Sequence, residues 1–301
     1  MHLDYHWLDF VDVHVHGAAR DEVTDARGVT RSGDEATVDF ETTGGLLTRA
    51  VVDPMAFDTD ALLGKPLRVG FRRVVRTVYD EPGPTLGLLL DDVPGALIAA
   101  GYVHAMQGST DPKSNAGRAL RESGELPESA LQADFCSGWR SDGVMMQSIR
   151  AGENMPFLPT PPVPDRPEGA DGWPGVEVPT PGLRRHRRID VVPGGGVWRI
   201  DAWFRDTYRD PDGAHGALHE YTVDLVVDAR DHTILEVRAT PHALPWDECP
   251  AAADAVTKLV GLPLDGLRSS VPRTLRGIES CTHLTNELRE LADVPGMVAS
   301  L

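Results

Sequence analysis

Short strings recur along this chain in the same order and at nearly the same spacing, and that repetition limits the folds open to it. Arg20-Asp21 and Thr37-Val38-Asp39 return as Arg205-Asp206 and Thr222-Val223-Asp224, each 185 residues further on. LGKPLRVGFRRVVRTV at 63–78 lies without a gap over VGLPLDGLRSSVPRTL at 260–275, pairing Gly64/Gly261, Pro66/Pro263, Leu67/Leu264, Val74/Val271, Arg76/Arg273 and Thr77/Thr274. Asp92-Val93-Pro94-Gly95 is then answered by Asp293-Val294-Pro295-Gly296, at an offset of 201. A fixed order with a slowly drifting offset is what two diverged copies with short loop insertions produce. Two copies are too few for a solenoid, so two like units packed together are expected, over 1–100 and 186–301, with 101–185 connecting them.

Each copy carries the same local signals. Val11, Val13 and Val15 alternate with Asp12, His14 and His16, and Trp198, Ile200 and Ala202 alternate with Arg199, Asp201 and Trp203, the period of a two-faced strand. ATVDFET and YTVDLVVD follow, then LLTRAVVD and TILEVRAT, the last strand being reached through a hairpin turn at Ala229-Arg230-Asp231-His232. The period then becomes helical: in CPAAADAVTKLVG, Pro250 suits a first turn and Gly261 a stop, and a last helix holds Leu284, Leu288 and Leu291. The expected class is α+β, three antiparallel strands followed by helices in each copy. Nine prolines between Met155 and Gly182 preclude helix or central strand there, and Phe157, Leu158 and Trp173 make the stretch read as a strap over the body.

Composition narrows the partners. A formal net charge of −17 disfavours nucleic acid and anionic membranes, both of which need a basic face. No run of about 18 apolar residues occurs, and the opening MHLDYHWLDF has acids where a secretory signal has a basic and then an apolar stretch, so a cytoplasmic location is expected. Cys136, Cys249 and Cys281 are too few for a disulfide framework and read as reduced thiols. Gly-x-Ser-x-Gly, Walker and Gly-x-Gly-x-x-Gly signatures are missing, so no nucleotide or flavin is expected.

Arg187-Arg188-Ile189-Asp190, Phe204-Arg205-Asp206, His219-Glu220-Tyr221-Thr222-Val223, Pro245-Trp246-Asp247-Glu248-Cys249-Pro250 and Cys281-Thr282-His283-Leu284 resemble a bacterial family known only as a domain of unknown function, as do DFCSGW at 134–139 and the stretch Leu88 to Gly101. The resemblance implies no established reaction. The order of three strands, a Cys-bearing helix start and a later Cys-Thr-His is also similar to the iron-sulfur scaffold and sulfur-acceptor fold, whose early loop cysteine has no counterpart here.

The candidate chemistry centres on His219. A histidine beside a carboxylate suits proton transfer near neutral pH, with Asp206 or Glu220 to orient it. In one strand His219 and Tyr221 share a face while Glu220 points away. Cys249 stands at a helix start, where the dipole favours thiolate and Glu248 opposes it. Cys281 and His283 lie about 200° apart if one helix contains both, and converge only if 280–283 is extended. Arg184, Arg185, Arg187 and Arg188 with His186 form a basic cluster suited to a carboxylate or phosphate. Arg185 and Arg188, with Trp139 and Tyr221, would hold a small anionic or aromatic molecule. His14 and His16, two apart on a strand, resemble the first-strand Asp-x-His-x-His motif of amidohydrolase barrels and can share a zinc ion. The expectation is a small-molecule lyase, isomerase or hydrolase with a pocket between the copies, carrying no cofactor or a single zinc or iron ion. A zinc-dependent hydrolase using His14/His16 and a non-catalytic metal or sulfur carrier using Cys249, Cys281 and His283 are the alternatives, and a homodimer is left open.

Overall fold

Leu3, Tyr5 and Trp7 point to one side of β1 (His2–Trp7) and His2, Asp4 and His6 to the other, an alternation that every strand continues. The computed structural model describes residues 1–7, 12–68, 70–79, 84–107, 133–151, 158, 160–162, 182–209 and 212–299. Most of the proline-rich stretch read as a strap lies outside them. After β1 come β2 (Val13–Thr24), β3 (Thr30–Thr43), β4 (Leu46–Asp53), β5 (Gly182–Gly194), β6 (Val197–Arg209), β7 (His215–Asp228) and β8 (Ile234–Ala243). They form one antiparallel sheet in the order β4-β3-β2-β1-β5-β6-β7-β8. The class is α+β, as expected. The two halves meet edge to edge along β1 and β5, where Asp4 pairs with Arg184 and His2 with His186.

Each half has four strands, not the three read from the sequence. β5 escaped that reading because its helix-facing side bears Arg185 and Arg187, which are fully buried, in place of apolar residues. β1 escaped it because an opening of six residues with polar alternates carries little hydrophobic signal.

Seven α-helices occur among the described residues: α1 (Phe71–Val78), α2 (Pro84–Gln107), α3 (Val144–Ala151), α4 (Ala251–Ala255), α5 (Leu267–Thr274), α6 (Thr282–Glu290) and α7 (Val294–Ala299). No helix there is long and apolar enough to cross a membrane. The helices cover one face of the sheet through two apolar clusters. Phe71, Leu89 and Leu90 meet Leu3, Tyr5, Val15 and Phe40 in one. Val256, Leu267, Leu284 and Leu288 meet Ile200, Phe204, Val223 and Leu225 in the other, each fully buried side chain contributing about 1.5–3 kcal/mol. The Tyr5 hydroxyl donates to the Val93 carbonyl at 2.7 Å and fixes α2 over the sheet centre.

Charges occupy the space between the clusters. Arg185 and Arg187 both reach Asp92 of α2, at 2.9 Å each, and Arg187 also meets Glu287 of α6 at 2.5 Å. All four side chains are without solvent exposure. Asp92→Ala leaves two buried guanidinium groups short of an acceptor. A loss of about 3–5 kcal/mol in chemical denaturation is expected, the cost of breaking a buried pair from one side. A loss under about 1 kcal/mol would show that water replaces the carboxylate.

Candidate active site

Strand register alone brings three polar residues into line. Arg185 of β5 stands opposite Asp206 of β6, and Asp206 stands opposite His219 of β7. Directly paired residues share a face, so Asp206 and His219 both lie on the helix-facing side, and a bulge follows at once, since Thr207 pairs with Ala217. Arg185 donates through Nε and Nη2 to the two Asp206 oxygens at 2.7 and 2.8 Å, while Nη1 reaches Asp92. His219 Nδ1 lies 3.2 Å from Asp206 Oδ2. Although burial opposes it, the Arg185 guanidinium holds the Asp206 carboxyl well below the usual carboxylate range. Burial pushes His219 down against the pull of Asp206. A neutral imidazole facing an ionised carboxylate carries its proton on Nδ1, which leaves the Nε2 lone pair as the base.

His283, from the first turn of α6, stacks on His219 with ring centroids 3.6 Å apart and planes at 24°. Burial drives its pKa well down, and its Nε2 has no hydrogen-bond partner among the described residues. Cys281 caps α6 in an extended conformation (φ −126°, ψ 125°), so it is off the helical wheel and both residues are buried at the helix start. Tyr221 follows His219 on the same face and stacks on Phe204 at 5.7 Å.

Burial outweighs the helix start at Cys249. It precedes α4 by two residues, and burial pushes its thiol up instead of the helix start drawing it down. A helix of five residues offers little dipole to offset desolvation. Cys136, which the sequence reading did not single out, lies in the DFCSGW segment beside it. Its thiol is pushed up by burial to about 12.

The other expected residues are spread over both faces. Trp139 packs on Phe135, ring centroids 5.1 Å apart, and against Trp246 and Cys249. Glu220 is on the far side of the sheet, where its Oε1 accepts from Trp203 Nε1 at 2.8 Å and Arg205 Nη2 at 2.7 Å. Arg188 is on that side too, between Asp190 and Asp201 and over the Trp203 ring, while Arg184 makes a two-point contact with Asp4. The basic cluster thus meets the chain's own acids. His14 and His16 also share that side, at 3.0 and 3.5 Å from Asp39 Oδ2, and Arg49 sits on the other Asp39 oxygen.

Residues 183–296 match the family model described as Protein of unknown function (DUF2889). The matched stretch contains Arg185, Asp206, His219, Cys249, Cys281 and His283, whereas Asp92 and Cys136 lie outside it. No curated protein matches the chain. No solved structure matches it either.

The buried histidine makes stability pH-dependent. An unfolded histidine titrates near 6.5 and folded His219 below that, so its contribution is present above about pH 6.5 and is lost on acidification. Glu287, raised by burial to about 7, acts oppositely, since its tighter proton favours the folded state at low pH. Denaturation of wild type and His219→Gln at several pH values cancels that shared term. The stability difference between them is expected to shift in favour of His219→Gln as pH falls below 6.5, and a pH-independent difference would contradict the assignment.

Proposed function

We propose that the chain is a small-molecule enzyme of lyase, isomerase or hydrolase type in which His219 moves a proton. The observation that carries this reading is the Asp206–His219 contact with Arg185 locked behind it. Asp206 holds the imidazole in the Nδ1–H form and stabilises the imidazolium that forms when Nε2 takes a proton. The guanidinium keeps Asp206 an acceptor throughout, so the proton stays on histidine. Tyr221, on the same face of β7 as His219, and Trp139 would hold a small anionic or aromatic substrate.

Asp206, His219 and His283 have ligand atoms within 4.8 Å of one another, which invites a metal. Two features favour proton chemistry here. Stacked rings keep their in-plane lone pairs in two nearly parallel planes 3.6 Å apart at the centroids, and both Asp206 oxygens already receive Arg185. The test is exchange of substrate C–H hydrogen with deuterated water, read by NMR over a panel of small aromatic and aliphatic carboxylic acids, with product formation followed alongside. His219→Ala is expected to slow exchange or turnover by about 10²–10⁴. Unchanged rates in that variant would overturn the proposal.

A zinc-dependent hydrolase is the second reading. It is supported by the contacts of His14 and His16 with one Asp39 oxygen, at 3.0 and 3.5 Å, and by the ligand atoms of His14, Asp39 and Glu41 lying within 4.8 Å of one another. It predicts about one equivalent of zinc in protein purified without chelator, lost in His14→Ala/His16→Ala. Metal content unchanged in that variant would count against it.

We infer further that the two halves are diverged copies. In one, Gly64 N–H donates to Leu47 O at 2.8 Å and Leu47 N–H to Lys65 O at 2.9 Å. In the other, Gly261 donates to Ile234 O at 2.8 Å and Ile234 to Leu262 O at 2.9 Å, and both glycines have positive φ. The symmetric strand order about β1 and β5 supports the same inference.

A further inference from the structure

The three cysteines of the chain are far apart in sequence and come from three segments that are fastened together. Ser137 N–H donates to Ser280 O at 2.7 Å, Ser280 Oγ to Phe135 O at 3.4 Å, and Ser137 Oγ to Cys249 O at 3.2 Å. Each of these bonds joins residues at or next to Cys136, Cys249 or Cys281. Gly138 comes so close that a Cβ there would stand 2.6 Å from Cys249 Sγ. All three thiols are free, with Cys249 and Cys281 buried and Cys136 half-buried.

Backbone amides lie near two of the sulfurs. The amides of Gly138 and Trp139 draw the Cys136 thiol down against burial, and those of His283 and Leu284 do the same for Cys281, although neither side chain caps its helix through a hydrogen bond. Nearby amides favour a thiolate, while burial, the larger effect at all three sulfurs, keeps them protonated until a cation offsets the charge. Two side-chain donors nearby have nothing to donate to. Tyr221 Oη and Trp246 Nε1 are buried without a hydrogen-bond partner, and an unmet buried donor costs about 1–3 kcal/mol. Tyr221 has no solvent exposure, and a phenolate there would feel charge on all three thiols. Trp246 packs directly against Cys249.

We propose that Cys136, Cys249 and Cys281 form a soft-metal site that binds one zinc-class divalent cation as three thiolates. Binding exchanges three thiol protons for the cation, the protons passing to solvent. The sulfurs then become acceptors for the Tyr221 hydroxyl, the Trp246 indole and the amides already in place, an outer set of hydrogen bonds of the kind metal-bound thiolates need. Three protein ligands leave the fourth tetrahedral position to solvent or a bound molecule. The groups with ligand atoms already within 4.8 Å of one another, among the described residues, are Asp206–His219–His283 and His14–Asp39–Glu41. The thiols must therefore turn inward about χ1 to reach the sulfur separation of about 3.8 Å that metal–sulfur bonds of about 2.3 Å impose. This site uses neither His219 nor His14 and shares only Tyr221 with the first reading above.

The test is titration of the reduced full-length chain with cadmium, followed by sulfur-to-metal charge-transfer absorption, with alkylation of thiols under native conditions counted by mass spectrometry. Saturation at one equivalent is expected, with all three cysteines protected from alkylation by the metal. Each Cys→Ser variant is expected to lose about one third of the charge-transfer intensity, and Tyr221→Phe to keep the stoichiometry while weakening affinity about 10-fold or more. No charge-transfer band in the folded wild-type protein would overturn the proposal without recourse to a variant. So would a band that Cys136→Ser leaves at full intensity in a protein whose circular dichroism is native.

Discussion

Arg185 is the residue on which the arrangement depends. Its guanidinium has no exposure to water and cannot shed its charge, so its donors must be met inside the protein. They are met from two directions: by Asp206, directly across the sheet, and by Asp92, from the helix above. The first contact fixes the carboxylate that His219 faces. The second ties the long apolar helix α2 to the sheet beside the seam between the halves. Removing either carboxylate leaves a buried charge unbalanced, which is why the helix layer and the polar row form together.

The polar row follows from that constraint. A carboxylate held ionised by a buried arginine can accept a hydrogen bond at any pH near neutrality, and a buried imidazole beside it stays neutral because desolvation outweighs the attraction. His283 stacks as a second neutral ring because two imidazolium rings at 3.6 Å would repel. The start of α6 therefore brings together a basic nitrogen, a stacked ring, a thiol and a phenol in one small, nearly dry region. Residues of β5, β6, β7 and the start of α6, spread over about 100 positions of sequence, converge there through register and helix placement.

Much of this was legible in the sequence in outline and little of it in position. The two-faced strands, the α+β class, the shared face of His219 and Tyr221 and the turning away of Glu220 all follow from period-2 alternation. Asp206 was one of the two carboxylates expected to orient His219, and the strand register, which no residue type announces, places it directly opposite the ring. β5 was hidden by its own function, since a strand whose buried face is Arg185 and Arg187 lacks an apolar signature. Cys249 illustrates a contest of magnitudes: the helix start and the desolvation oppose each other, and only burial, which sequence does not reveal, decides the direction. Cys136 carried a signal in DFCSGW, yet its meaning appears only when Gly138 is seen against the Cys249 sulfur.

The protonation state of one ring decides whether His219 can act as a base. Nitrogen-15 NMR of histidine-labelled protein reports which imidazole nitrogen carries the proton, and His219→Gln assigns the signal. At neutral pH His219 is predicted to be neutral, with its proton on Nδ1 and a lone pair on Nε2, and Asp206→Asn is predicted to abolish that preference. An imidazolium at neutral pH, or a proton on Nε2 in the wild-type protein, would contradict the claim that Arg185 and Asp206 hold His219 ready as a base.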